Sequence, residues 1–416
     1  MTDYSYAAIP LYLAQIKSGQ LKLGINISLN NSPTKMLYEF DTGAAGFYPA
    51  AVITGTNSNN STNSVNWWPN FAENTEISNF TQAYSSGIQY TALSTPASLS
   101  FEGNVYGADS ASPVSWPAVT ASVGAIIAAT NTKQTPNSEG YTQFTIEWNN
   151  SLAAANADPS KPGPLDGVFY GDFGIGLGNA RNSAMGEGPA VMAVFPQLPA
   201  PLSDVFTIVT KGTPSAEDLK KIEDNGPIPW GYVFLGTPPA SVLQAAGVPQ
   251  NFVLTTMVPN AAPAPFPNNP TLTSFAQGAV NALSCSFTPP SGSAIDVGNV
   301  NLVLDTGCPG IVVHYDANGA SETLNGHDIS GIISGANIEA GVVFDLVITP
   351  DMPFGGQPSV GYHRTVSADK SISTMLNDNT NPAEQAGYIN TGFDLFLTNA
   401  VQFNLATGQI GFAALG

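Results

Sequence analysis

The chain has 416 residues, of which only 10% are charged, against roughly a quarter in an ordinary soluble domain. Its 11 Lys+Arg and 30 Asp+Glu leave a net charge of −19, which argues against partners held by clustered basic side chains, namely nucleic acid and anionic membrane surfaces. The length allows a sizeable core and suggests two or more domains, and no run of about 20 apolar residues offers a membrane span. Acid unfolds proteins largely by protonating carboxylates that the native state needs charged, so a chain with few ion pairs suits an acidic setting. A secreted surface rich in Asn, Ser and Thr explains the same composition, and both readings stand. Met1-Thr2-Asp3-Tyr4 lacks the basic and apolar stretches of a signal peptide; export, with a leader already trimmed, is the expectation.

Short alternating or apolar runs between Gly, Pro and Asn turns dominate, so the expected class is mostly β. Leu21 to Ile27 reads as a strand, and Met36-Leu37-Tyr38-Glu39-Phe40 is an apolar strand running into Asp41-Thr42-Gly43. The Asn/Ser/Thr run 54–64 reads as a polar loop. Asn59, Asn60 and Asn79 open sequons of the kind an Asn-rich chain contains by chance. Trp67-Trp68 either lines a cleft or anchors a loop. Ser215 to Glu223, with Ser215 and Asp218 spaced as a capping box, and Pro239 to Ala246 are the expected helices. Leu235-Gly236-Thr237-Pro238-Pro239 is the expected boundary between a first domain, 1–237, and a second, 238–416. Residues 259–270, rich in Pro, read as an exposed loop. Val300-Asn301-Leu302-Val303-Leu304 then runs into a second Asp-Thr-Gly, Asp305-Thr306-Gly307, and Val342 to Ile348 reads as a further strand. Cys285 and Cys308 form one disulfide or remain two thiols, and alone they cannot make a zinc site. His314, His327 and His363 have no triad or metal-ligand spacing and read as structural.

One Asp-Thr-Gly is an ordinary strand end. Two, one in each half, point to related lobes meeting at their Asp-bearing loops. Two carboxylates in one cleft are the apparatus for splitting a peptide bond with water.

In this order the pieces resemble a pepsin-like aspartic peptidase over nearly the whole chain. Gly24-Ile25-Asn26-Ile27, Ser32-Pro33 and Phe40-Asp41-Thr42-Gly43 resemble the family's opening strands. Gln82-Ala83-Tyr84-Ser85-Ser86-Gly87 resembles its flap hairpin, and Asp172-Phe173-Gly174-Ile175-Gly176-Leu177-Gly178 the strand closing the first catalytic loop. Gly231-Tyr232-Val233-Phe234-Leu235-Gly236 and Gln402-Phe403-Asn404 through Gly408-Gln409-Ile410-Gly411-Phe412-Ala413 match the strand leaving the first lobe and the closing strands. The resemblance implies a bilobal, mostly β fold, with Asp41 and Asp305 as the catalytic pair sharing one proton. It implies that Thr42 and Thr306 bond across the lobe junction and that Gly43 and Gly307 let backbone approach the carboxylates. Tyr84, with Ser86 and Gly87, would cover the substrate. No metal, cofactor or covalent intermediate is implied. The implied partners are an extended polypeptide, with apolar residues favoured beside the scissile bond, and statine-type peptide inhibitors; the implied state is a monomer.

Several features depart from the family. The motif aspartates are 305 − 41 = 264 positions apart, which is long for the family, and the surplus is expected between Asn104 and Gly163. Such an insertion costs little loop entropy and could cap the cleft. Ala44 and Cys308 stand where the family has a hydroxyl supporting each aspartate. Loss of those bonds should raise the pair's pKa values and move the pH optimum toward neutrality. Asn390-Thr391-Gly392 replaces two apolar residues before glycine. No basic prosegment is visible, since the first 20 residues carry only Lys17. The alternative reading is a pepsin-like fold kept as a binding or inhibitor protein with little or no activity.

Overall fold

A computed structural model describes residues 4–51, 66–69, 80–84, 86–107, 112–134, 138–178, 190–248, 252–260, 262–318, 321–348, 360–368, 370–376 and 387–415. The polar run 54–64, with the sequons at Asn59, Asn60 and Asn79, lies outside them.

The molecule is mostly β. At its centre six antiparallel strands pair in the order Val253–Pro259, Gln409–Ala414, Asn399–Asn404, Val205–Thr210, Ile228–Gly236 and Tyr4–Gln15. This sheet is shared by both halves of the chain, because Val205–Thr210 bonds directly to Asn399–Asn404. Strict alternation buries Ile9, Leu11 and Leu13, and both Val233 and Leu235 are buried as well.

Above this sheet the two halves repeat one motif. In the first, Gly171–Ile175 lies between Met36–Asp41 and Ala45–Pro49, parallel to the former and antiparallel to the latter. In the second, Tyr388–Asn390 lies between Ile295–Val303 and Val312–Asn318, again parallel to one and antiparallel to the other. Each threaded strand pins the loop that carries an Asp-Thr-Gly. The register makes Asp172 of the first half and Asn390 of the second counterparts, each two residues before a glycine.

Both expected helices form. Ala216–Asn225 starts at Ser215 with the reciprocal capping box to Asp218, and Ala240–Ala245 follows the Pro pair. The stretch 104–163, expected as surplus, contributes strands and a helix among its described residues. Val119–Asn131 pairs with the strand Ile88–Phe101 from Ile88 to Leu99, and Glu139–Ala157 is the longest helix described. Ser138 caps that helix, and Trp148, Leu152 and Ala155 anchor one face. The segment 259–270, expected as an exposed loop, instead enters a small hairpin of Pro265–Phe266 with Asn269–Thr273. It docks on the first half, where Asn268 Nδ2 donates to the Thr120 carbonyl at 2.7 Å, and it buries Phe266. Trp67 and Trp68 are fully buried, and Trp67 donates to the Ala50 carbonyl, so they anchor the chain rather than line a cleft.

Candidate active site

The strands Met36–Asp41 and Ile295–Val303 bring the two Asp-Thr-Gly loops face to face. Thr42 N–H donates to Thr306 Oγ1 at 3.0 Å, and Thr306 N–H donates to Thr42 Oγ1 at 2.9 Å. Each hydroxyl also donates across the junction, Thr42 to the Leu304 carbonyl at 2.7 Å and Thr306 to the Phe40 carbonyl at 2.6 Å. Both threonines are buried, so these four bonds are shielded from water and tie the loops in register.

The glycines explain how close the loops come. A Cβ on Gly43 would lie 2.4 Å from the Asp305 carboxyl carbon, and one on Gly307 2.3 Å from Asp41 Oδ2. Each glycine therefore makes room for the opposite aspartate, and no side chain larger than hydrogen fits there. Backbone amides orient each carboxylate in the same way. Gly43 and Ala44 N–H donate to Asp41 Oδ1 at 2.6 and 3.1 Å; Gly307 and Cys308 N–H donate to Asp305 Oδ1 at 2.9 and 3.0 Å.

The Asp41 and Asp305 carboxyls thus face each other, each set against the glycine of the opposite loop. Burial, and then the adjacent Asp305 carboxylate, pushes Asp41 well above the ordinary carboxylate range. Two such groups share one proton over a pH window, placing an acid and a base side by side.

The outer oxygens differ. Asn390 Nδ2 donates to Asp305 Oδ2 at 2.6 Å, while its own Oδ1 accepts from Gly392 N–H at 2.9 Å. Thus the polar residue that breaks the expected apolar pair supplies a donor to Asp305, whose neighbour Cys308 lacks a hydroxyl. The Cys308 thiol donates instead to the Gly310 carbonyl at 3.1 Å, and burial followed by the Asp305 charge pushes it up to about 12. Cys285 is buried within the strand Phe275–Thr288, and both cysteines are free, so the disulfide alternative is not formed. The physical reason is placement: one thiol is enclosed by the sheet, the other is turned onto its own loop.

Tyr84 sits at the turn between Phe80–Ala83 and Ile88–Phe101, where Gly87 takes a φ of +93° and its N–H donates to the Tyr84 carbonyl. The Ser86 hydroxyl accepts from Ile88 N–H. Tyr84 Oη donates to Asp172 Oδ2 at 2.6 Å, and its ring packs edge-on against Tyr90. Tyr84, Ser86, Asp172 and both motif aspartates line one cavity of about 430 Å³.

Beneath the turn lies a buried ionic group. Lys22 Nζ is 2.7 Å from Glu39 Oε1 and 2.8 Å from Asp166 Oδ2. Burial lifts Glu39 to about 7, although Lys22 pulls the other way. Glu39 therefore holds its proton more tightly folded than unfolded, from 4.5 to about 7. Its contribution to stability is complete below pH 4.5 and is lost as pH rises through about 7. Urea unfolding across that window is expected to show a fall of about 3 kcal/mol from this group. Glu39→Gln is expected to flatten the slope, and an unchanged slope would contradict the assignment.

Asp172, Glu39, Lys22 and Asn390 escape motif reading because each acts on a group far away in sequence. The available signal was a polar residue inside an apolar strand next to a motif, at Glu39 and at the paired positions Asp172 and Asn390.

No protein-family profile and no curated protein matches the chain. Among solved structures, the aspartic proteinase from Irpex lacteus is similar over 99% of this chain and 98% of its own, with a TM-score of 0.50 and 10% sequence identity. At that identity the likeness speaks to fold: this chain has the bilobal, mostly β fold of an aspartic proteinase.

Proposed function

We propose that the protein is an aspartic endopeptidase in which Asp41 and Asp305 activate water against a peptide bond. The observation that carries this reading is the facing carboxyl pair, with each glycine opened for the other loop's aspartate. Shared-proton behaviour is general to aspartic-peptidase dyads. Asp41, raised by burial and its neighbour, holds the proton. Asp305, whose oxygens accept from Gly307, Cys308 and Asn390, carries the charge.

A water between them gives a proton to Asp305 as its oxygen bonds to the scissile carbonyl carbon, and Asp41 gives its proton to the carbonyl oxygen. The resulting diol collapses when Asp305 returns its proton to the amide nitrogen. The C–N bond breaks, and one diol hydroxyl re-protonates Asp41. Nothing in the sequence requires a metal. Tyr84 and its hairpin cover the cleft and exclude bulk water.

Cleavage of a denatured protein mixture across pH 2–8, with and without a statine-type peptide, tests the proposal. Inhibitor-sensitive cleavage supports it. Folded protein that cleaves nothing at any pH favours the alternative of a binding protein.

Asn390→Leu offers a sharper check on the dyad. It removes a donor to the charged form, so the acidic limb of the kcat/KM profile should move upward by about 1 pH unit. A limb that stays in place would separate Asn390 from the reaction.

A further inference from the structure

Asp172 and Glu39 are register partners on parallel strands, so their side chains leave the sheet together, next to Asp41. Both line the cavity that also holds the dyad, as do Asp166 and Lys22. Glu39 and Asp166 share Lys22. Asp172 makes no ion pair with any of the described residues, the nearby Lys22 being taken up by the other two. It is 2% exposed; its Oδ2 accepts from Tyr84, and its Oδ1 has no hydrogen-bond partner among the described residues. Leaving a buried carboxylate oxygen unpaired is costly, and the cost is met when a donor enters.

We propose that this recess beside the dyad receives a cationic side chain, with Asp172 as its partner, so that the substrate is a polypeptide cut next to lysine or arginine. The proposal rests on the peptidase reading and narrows its substrate class. It departs from the apolar preference that the resemblance implies.

Three physical points support it. The cavity of about 430 Å³ lies within the range of ligand-binding clefts, about 300–1,000 Å³. Its walls carry five carboxyls, at Asp41, Asp305, Asp172, Glu39 and Asp166, against Lys22 on the floor and Lys133 at the rim. An arriving ammonium or guanidinium favours ionisation of the protonated members among them, and so meets charge of the opposite sign. An apolar side chain would leave Asp172 Oδ1 desolvated and unpaired, which selects against it as well as for the cation. Burial, followed by the Glu39 charge, holds the Asp172 carboxyl well above its ordinary range, and an arriving cation relieves both. Tyr84 Oη occupies the other Asp172 oxygen, so the turn that covers the cleft also closes this recess.

The test uses hydroxyl-isostere peptide inhibitors in two pairs. Within a pair the members differ only in one side chain flanking the isostere, 4-aminobutyl or butyl; the second pair varies the other flank. Calorimetry at neutral pH is expected to show the aminobutyl form binding about tenfold tighter in one pair. The ratio should collapse toward one in Asp172→Asn. Butyl forms that bind as well or better in both pairs overturn the subsite while leaving the dyad intact. A ratio that survives in folded Asp172→Asn overturns the role of Asp172. If no isostere binds and no protein is cleaved, the peptidase reading falls and the subsite falls with it. The wild-type ratio decides the matter even if the variant does not fold.

Discussion

Asp305→Asn is expected to lower kcat/KM for peptide cleavage by about 10²–10⁴-fold, and Asp41→Asn by a similar factor. Either change takes away one half of a proton-sharing pair and leaves the other without its exchange partner. The two act as a unit, so the double variant should lose little more than the worse single one. Stability supplies an independent readout for Asp41. Burial and the Asp305 charge raise Asp41 in the folded state, so near neutral pH its ionisation works against folding. Asn keeps an acceptor for the Gly43 and Ala44 amides without the charge. Asp41→Asn is therefore expected to be inactive yet to melt higher than wild type at pH 7. An inactive variant that melts lower points to damage to the loop instead, and an active one removes Asp41 from the mechanism.

Thr306→Val is expected to be the most damaging conservative change at the junction. The substitution keeps the shape and deletes one hydroxyl that makes two bonds. Thr42 N–H and the Phe40 carbonyl, both in the buried junction, then have no partner there. Each buried polar group left unmade costs about 1–3 kcal/mol, so the expected loss is about 2–6 kcal/mol. Thr306→Ser, which keeps the hydroxyl, should recover most of it. Denaturant unfolding reads the stability. Activity should fall further than stability alone predicts, because a small widening between the loops separates the two carboxyls. Equal stability in the Val and Ser variants would show that the four-bond arrangement does not hold the loops.

The sequence disclosed the parts of this molecule whose chemistry is local. A strand running into Asp-Thr-Gly announces its loop, Ser215 with Asp218 announces a capped helix, and glycine in a hairpin turn announces Gly87 beside Tyr84. Contacts created by threading one strand between two others were not disclosed. Asn390 was visible as a break in an apolar pattern, but its bond to Asp305 spans 85 residues and exists only because Tyr388–Asn390 runs parallel to Ile295–Val303. The same holds for Asp172 and Glu39, which face one cavity only through the register of Gly171–Ile175 on Met36–Asp41.

The helix Glu139–Ala157 was hidden for another reason. Its Thr, Asn and Ser residues are weak helix formers, and three buried positions, Trp148, Leu152 and Ala155, hold it by packing. Tertiary contact overrode local preference. Likewise, Trp67-Trp68 and the Pro-rich 259–270 gave no sequence signal of where they would dock.

The shared central sheet also sets a timetable for synthesis. Val205–Thr210 emerges from the ribosome almost two hundred residues before its partner Asn399–Asn404, and Gln409–Ala414 follows that. Until Asp305 and Thr306 are made, and Tyr388–Asn390 and Asn399–Asn404 seat them, Asp41 has no partner across the junction. A nascent chain thus carries half of a cleft and no proton-sharing pair. On the peptidase reading, a chain is therefore inactive toward its neighbours on the same polysome until its second half has been made and docked.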